Sequence, residues 1–141
     1  VIESLEAKYT KMFGEINIEN SNKKKLKKLF TTVGIQLEKD PTFFKSISTF
    51  WSISRHDEDF RKAIQSMYDR FQKFIEIIII KGIESGEFKK LDPKTSALAL
   101  ILNIEGVFWF TLFESKDLDA ETYIDQVSDY ILNAYSKTKG K

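Results

Sequence analysis

Few residues of this 141-residue chain carry the side chains that catalysis or metal binding requires. The absence of cysteine excludes disulfides, thiolate metal sites and cysteine nucleophiles, and the single histidine leaves little room for a histidine-based metal site. His56 stands beside Asp57 and Asp59, but a metal or acid–base site there would need further ligands from elsewhere. Because acidic side chains stabilise the positive end of a helix dipole, we interpret this group as a helix start. The sequence therefore predicts no metal, no cofactor and no enzyme.

The densest charge is a run of five lysines between Lys23 and Lys28, interrupted by Leu26. Such a run can bind nucleic acid or an anionic membrane surface. Leu26, Leu29 and Phe30 hold the opposite side of the same predicted helix, so we favour a solvated helix face. The whole chain has 22 Lys+Arg and 21 Asp+Glu, and a net charge of +1 is too small for strong nucleic-acid binding by this chain alone.

The apolar residues that must position any site recur with helical spacing nearly throughout, and no segment alternates like a strand. We therefore expect an all-α fold, a six-helix bundle forming a single domain over residues 1–141. The predicted helices run from about Val1 to Gly14, Asn22 to Lys39, Asp40-Pro41 onward, Asp57 to Ser85, Asp92-Pro93 to Glu114, and Asp119 to Ser136. The two Asp-Pro pairs supply an N-cap followed by proline at the first helical position. Gly86 is expected to end the fourth helix in a left-handed conformation.

The fifth predicted helix is apolar around nearly its whole circumference between Ala97 and Phe113. Such a helix must be buried on all sides, as the centre of the monomer, as a membrane span, or between its own core and a partner chain. Asn103 and Glu105 interrupt the run, which is marginal for a bilayer core of about 30 Å. A six-helix domain rarely needs a fully enclosed central helix, so we favour the partner chain and expect no membrane contact.

The sixth predicted helix carries a broad aromatic stripe typical of interfaces. Two helices from each chain would form a four-helix bundle across a two-fold axis. The predicted dimer-interface residues are Leu98, Ile101, Glu105, Phe108, Trp109, Leu112, Ile124, Val127, Tyr130, Ile131 and Tyr135. Because a buried carboxylate needs a partner or a shifted pKa, we assign Glu105 an interface or structural role, with ligand contact as the alternative.

Several features follow one another in a distinctive order in the second half of the chain. A long helix ends in Gly-Ile-Glu-Ser-Gly-Glu-Phe at residues 82–88, and Leu-Asp-Pro follows at 91–93. The next helix contains Asn-Ile-Glu-Gly-Val-Phe at 103–108, and an amphipathic helix completes the order. This order resembles the C-terminal, ligand-binding and dimerisation domain of TetR-family transcriptional regulators. The resemblance is clearest over residues 71–135; the stretch before it agrees in helix pattern only.

The resemblance implies an N-terminal helix-turn-helix DNA reader that is absent from this chain, with the first helix as its connector. DNA contact is then expected only through that missing part, and a cytoplasmic location is the default because no secretion signal is present. The resemblance also implies an apolar small-molecule effector, aromatic or acyl-bearing, among the middle helices. The predicted ligand-binding residues are Phe43, Phe44, Phe50, Trp51, Met67, Phe71 and Phe74, with Ser48, Tyr68 and Gln72 as polar candidates. Ordinary core packing is the alternative for each of these aromatic side chains.

Two hypotheses follow for the whole chain. In the first, it is the ligand-sensing and homodimerisation domain of a TetR-like repressor, and effector binding shifts the connector helix and thus DNA affinity. In the second, it is a helical protein–protein interaction module without a small-molecule ligand, and its apolar fifth helix contacts a different protein.

Overall fold

The computed structural model describes residues 2–39, 49–112 and 120–137. These residues form six helical segments, which confirms the predicted all-α class. The segments are α1 (Ile2–Asn17), α2 (Asn22–Lys39), α3 (49–54), α4 (Glu58–Glu84), α5 (Pro93–Leu112) and α6 (Ala120–Tyr135). The described residues add one isolated antiparallel bridge, between Phe88 and Ser136.

The first helix does not end at Gly14, as its sequence predicts, but continues to Asn17. Glycine in a helix costs about 1 kcal/mol relative to alanine. Ile16 is fully buried in the core, and its burial outweighs that local cost. The expected helix start at Asp40-Pro41 lies outside the described residues.

The caps of α4 and α5 form as predicted. Asp57 has an extended backbone and accepts a hydrogen bond from the backbone N–H of Phe60 at 3.0 Å, so the acidic group beside His56 is a helix start. Asp92 accepts from the backbone N–H of Thr95 at 3.1 Å. Helix α4 includes the isoleucine-rich segment 77–80 and ends before Gly86, whose φ of 83° is the predicted left-handed conformation.

The turn from α4 to α5 folds Phe88 back against the last turn of α4. The Phe88 N–H donates to the carbonyl of Gly82 at 3.0 Å, and the ring is buried directly over that glycine. A Cβ on Gly82 would lie only 2.2 Å from Phe88 Cδ2, so no larger residue fits without displacing the ring. This contact fixes where α5 begins.

Helix α2 is the centre of the packing and contacts α1, α4, α5 and α6. One continuous core joins all five of these helices and includes Ile16, Leu26, Leu29, Phe30, Ile75, Ile79, Phe88, Leu100, Ile104, Ile124 and Leu132. Two of the lysines in the 23–28 run attach α2 to α6. Lys27 Nζ lies 2.6 Å from Asp125 Oδ1 and 2.7 Å from Asp129 Oδ1, while Lys23 Nζ donates to Asn133 Oδ1 at 3.1 Å.

The solvated-face interpretation of the lysine run is therefore incomplete, although Lys24 and Lys28 are exposed as expected. Partial burial alone would lower the pKa of Lys27. The hydrogen bonds and charges of Asp125 and Asp129 outweigh that effect and raise its pKa. Lys27 thus stays charged, and its ammonium group holds the carboxylates of Asp125 and Asp129 against α2.

Glu87, in the same turn as Phe88, caps the start of α2 from far along the sequence. Its carboxylate accepts from the side chain of Asn22 at 2.7 Å, from the backbone N–H groups of Asn22 and Lys23 at 3.3 Å each, and from Ser85 Oγ at 2.8 Å. Partial burial raises the pKa of Glu87, but these donors outweigh it and the pKa is lowered. One side chain thus fixes α2 to the α4–α5 turn.

Candidate functional site

An aromatic cluster lies between α1 and the middle of α4. The Phe13 ring stacks on Phe74 with centroids 4.2 Å apart and on Phe71 with centroids 6.0 Å apart, each at an interplanar angle of 17°. Phe71 and Phe74 are half-buried against the core, and Met67 is buried one turn before Phe71. Apolar rings and an adaptable methionine are the lining typical of small-molecule sites.

A second ring contact lies near the start of α4, where Phe50 meets Phe60 at a centroid distance of 5.9 Å. Trp51 does not join either group of rings. It is 64% exposed, and the guanidinium of Arg55 lies 5.6 Å from its ring centroid. Its predicted place inside a ligand site is therefore not supported by its exposure.

The remaining predicted ligand contacts divide between described and undescribed positions. Phe43, Phe44 and Ser48 lie outside the described residues. Tyr68 is exposed and Gln72 half-buried. The structure adds Phe13 and Phe60, which sequence reasoning did not place at the site. The helical stripe of α1 contains Phe13, but a stripe cannot tell which helix its residues will face.

Helix α5 presents two different faces, at least along residues 97–106, whose side chains the structure describes. Ala97, Leu100 and Ile104 are buried, whereas Leu98 and Leu102, one turn apart on another face, are exposed, Leu102 by 63%. Over residues 97–106, α5 is thus not enclosed by its own subunit, so it is not a central helix surrounded by the rest of the monomer. Among the described residues, no helix has both the length and the apolarity that a bilayer crossing needs.

The predicted dimer-interface residues fall into three groups. Ile101 and Ile124 are only 2% and 1% exposed and belong to the subunit's own core, so their assignment to a partner surface is corrected. Helix α5 is apolar on every side, so only the tertiary structure decides which of its apolar residues face the subunit's own core. Leu98 and Tyr130 are exposed, whereas Glu105, Val127, Ile131 and Tyr135 are half-buried. The side chains of Phe108, Trp109 and Leu112 lie outside the described residues.

Tyr135 also has a structural role inside the subunit. Its hydroxyl donates to the carbonyl of Ser96 at 3.0 Å and joins the end of α6 to the start of α5. Burial raises the pKa of this hydroxyl more than the hydrogen bond lowers it. The phenol therefore remains a neutral donor, and only part of its ring is left for contact with another molecule.

Two polar side chains interrupt the apolar surface of α5. Burial raises the pKa of Glu105, and the described part of the chain offers its carboxylate neither an ion pair nor a hydrogen bond. The side-chain nitrogen of Asn103 is buried and likewise has no hydrogen-bond partner among the described residues. Buried polar groups normally find partners, so the Asn103 nitrogen is an exception among the described residues, whereas the half-buried Glu105 keeps part of its contact with water.

The described residues contain no group of three or more His, Asp or Glu side chains that could hold a metal ion. His56 is exposed in the turn before α4. The site chemistry that the structure supports is therefore apolar: rings between α1 and α4, and an aliphatic and aromatic surface on α5 and α6.

Comparison with known proteins agrees with this architecture. Residues 23–134 match the model of the BetI-type transcriptional repressor C-terminal family. A TetR transcription regulator from Haloarcula marismortui has a similar structure, with a TM-score of 0.83 and 15% identity over 96% of this chain and 71% of its own. The transcriptional regulator FadR from Bacillus subtilis, solved in complex with stearoyl-CoA, has a TM-score of 0.77 and 18% identity over 93% of this chain and 70% of its own.

No curated protein matches the sequence significantly. The two structural matches share the fold at low identity, and the family match covers most of the sequence, including α2, α4, α5 and nearly all of α6. The match also contains the residues on which the sequence resemblance depended. This chain belongs to the BetI-type C-terminal family of TetR transcriptional regulators.

Proposed function

We propose that this chain is the ligand-sensing and homodimerisation domain of a TetR-like transcriptional repressor. In the proposed dimer, α5 and α6 of two copies form a four-helix bundle across a two-fold axis. The apolar outer surface of these helices carries the proposal, because Leu102 and Tyr130 would remain in water in a lone subunit, Tyr130 with 79% of its area exposed. The proposed interface residues are Leu98, Leu102, Glu105, Phe108, Trp109, Leu112, Val127, Tyr130, Ile131 and the exposed part of Tyr135.

Sedimentation equilibrium of the 141-residue chain tests the interface, with a dimer as the expected result. Leu102→Glu should give a monomer, because a carboxylate pressed into an apolar interface loses its hydration. The subunit should still fold, since Leu102 is exposed in it. Gln65→Glu, on an exposed position of α4, adds the same charge away from this surface and should leave the dimer intact.

A monomeric parent chain, or a Leu102→Glu variant that still dimerises, would reject this interface. A monomeric parent would favour the second candidate, a module whose α5 surface contacts a different protein. The same exposed leucines support that candidate.

We further propose that the ring cluster formed by Phe13, Phe71 and Phe74 contacts an apolar, acyl-bearing effector. The cluster offers apolar faces beside the buried Met67, and a relative of the same fold binds stearoyl-CoA. Stearoyl-CoA is accordingly the first probe. A ligand that binds only the folded state raises stability by about 2.7 kcal/mol at a concentration one hundred times its Kd.

The measurement is the shift in melting temperature with increasing stearoyl-CoA. Phe74→Leu should reduce the shift, because it removes a ring from the cluster. Phe30→Leu removes a ring from the fully buried core on α2, so it should lower the starting melting temperature but leave the shift unchanged. Absence of any shift in the parent chain would reject an acyl-CoA effector and leave the dimerisation proposal unaffected.

In a protein that joins this domain to a helix-turn-helix reader, the effector would act by population shift. It would favour one arrangement of α1, the proposed connector, and so change the spacing of two DNA readers in the cytoplasm. A ligand can do this only through different affinities for the two arrangements. Operator binding by the full-length protein, measured with and without effector, tests this step.

A further inference from the structure

Three chain segments meet at one end of the domain, where α2 and α5 begin and α4 and α6 end. The Glu87 carboxylate binds the first residues of α2, and the backbone carbonyl of Glu87 accepts from the Lys137 N–H at 3.0 Å. The Lys89 N–H donates to the carbonyl of Tyr135 at 3.0 Å. These bonds fix residues 22–24, 87–90 and 135–137 beside one another.

Lysines accumulate at this end. Lys24, Lys89, Lys90 and Lys137 are exposed, and we call these four the basic end. Residues 17–25, 81–94 and 133–137 together contain eight lysines and four acidic residues, a net charge of +4, whereas the entire chain carries +1.

Two of the four acidic residues of these segments form hydrogen bonds elsewhere than with the basic end, and all four are already counted in the net charge of +4. The Glu87 carboxylate is occupied by four hydrogen bonds, and Asp92 caps α5 through Thr95. In the described part of the chain, no lysine of the basic end forms an ion pair. The four ammonium groups are therefore available to an anionic partner.

An isolated apolar side chain accompanies these charges. Ile18 lies in the turn between α1 and α2, four residues before Asn22, and is 81% exposed. It contributes nothing to the core and exposes apolar area in the turn that leads into α2, the helix that carries Lys24. Lysines around an exposed aliphatic side chain are the combination that interfacial membrane binding uses, with charge attracting headgroups and the apolar group entering between them.

We propose that the basic end docks on an anionic phospholipid surface. Lysines spread over three segments suit the diffuse charge of a bilayer, whereas fixed phosphate geometry favours arginine forks. The three arginines of the chain, Arg55, Arg61 and Arg70, all lie in residues 55–70, away from this end. Single-stranded nucleic acid would also call for several aromatic stacking platforms. Of the exposed rings among the described residues, Trp51 and Tyr68 lie on α3 and α4, and α6 carries the single ring of Tyr130.

This orientation leaves the start of α1 free. Helix α1 ends next to the basic end and contains 16 residues, so its first residue lies about 24 Å away at 1.5 Å per residue. A domain attached before α1 would point away from the lipid. The proposal does not depend on the effector or dimer proposals above.

Co-sedimentation of the 141-residue chain with sucrose-loaded vesicles at about 0.1 M ionic strength, where exposed charges more than about 10 Å apart are largely screened, tests the proposal. The chain should bind vesicles of equal parts phosphatidylglycerol and phosphatidylcholine, and should not bind phosphatidylcholine alone. Each lysine near an anionic surface contributes about fivefold to the partition constant. Lys24→Ser/Lys89→Ser/Lys90→Ser should therefore weaken binding about a hundredfold, and Ile18→Ser should weaken it further.

The matched control is Lys39→Ser/Lys62→Ser/Lys73→Ser, which removes the same charge from exposed positions on α2 and α4. It should bind within about threefold of the parent, since its lysines lie away from the surface. Circular dichroism should show every variant folded. Equal losses in the two triple variants, no binding by the parent, or tighter binding to a labelled oligonucleotide or to polyglutamate than to vesicles would overturn the proposal.

Discussion

Two regions of this domain are held together by different forces. Around the first two turns of α2, directional bonds dominate: Glu87 binds the start of α2, and Lys27 binds two aspartates of α6. Between α1 and the middle of α4, stacked rings of Phe13 and Phe74 form the contact. Hydrogen bonds and ion pairs require particular geometry, whereas ring contacts tolerate sliding and tilting. The first region is built to keep its shape, and the packing of the second can readjust.

The largest expected effect is that of Gly82→Ala in the rigid region. The new Cβ would lie 2.2 Å from the Phe88 ring, which is buried and has no free direction to move. Overpacking of this kind costs about 1–3 kcal/mol, and we expect the upper end of that range in urea unfolding. Gly14→Ala is the control, because nothing lies within 4 Å of its Cβ, and it should stabilise α1 slightly.

Lys27→Met should have the next largest effect. It leaves Asp125 and Asp129 without their shared cation and leaves Ser128 Oγ without the Lys27 donor. Because these side chains are partly exposed, we expect a loss of about 1–2 kcal/mol, below the cost of breaking a fully buried pair. Lys28→Met, at an exposed position of the same helix, should change the free energy of unfolding by less than about 0.5 kcal/mol. Equal effects would show that the ion pairs add nothing to α2–α6 packing.

The Glu87 cap predicts a pH dependence. Its pKa is lowered in the folded state, so its contribution is present above the unfolded pKa and is lost as pH falls through the folded value. Stability should fall on acidification by about 1 kcal/mol more in the parent than in Glu87→Gln. Unfolding of both proteins measured at neutral pH and at acid pH checks this. Parallel pH curves would contradict the assignment of the cap.

The smallest expected effect is in the ring region. Phe13→Leu keeps apolar volume but removes the stacking with Phe71 and Phe74, which is worth about 0.5–1.5 kcal/mol. We expect the low end of that range in urea unfolding, because the neighbouring rings can settle into the space. A loss as large as that of Gly82→Ala would remove the distinction between the two regions.

Sequence reasoning located the helix ends well where local chemistry decides them. Asp57 and Asp92 cap α4 and α5, and Gly86 has the expected positive φ. These features depend on residues within a few positions of one another. The predicted end of α1 at Gly14 was wrong. The helix continues and buries Ile16 in the core, and that burial depends on the tertiary structure rather than on neighbouring residues.

It was harder to predict from the sequence which residues of a helix face the subunit's own core and which face outward. Ile101 and Leu102 are neighbours of nearly equal hydrophobicity, yet one is buried in the core and the other is exposed. A helix that is apolar on every side gives no periodic signal for choosing between its faces. The assignment of Ile101 to an interface failed for this reason, and that of Ile124 failed because the apolar stripe of the amphipathic α6 faces the subunit's own core there, while Leu98 and Tyr130 do lie on the outer surface.

By itself, the sequence determined the all-α class, most helix boundaries and the family resemblance, since periodicity, caps and local motifs are properties of short stretches of chain. Only the tertiary structure decided that Glu87 caps a helix 65 residues earlier in the chain and that Lys27 joins two carboxylates of α6. It also decided which side of α5 remains exposed. The physical reason is that these contacts join residues far apart in the chain, and their partners are set by how the helices pack.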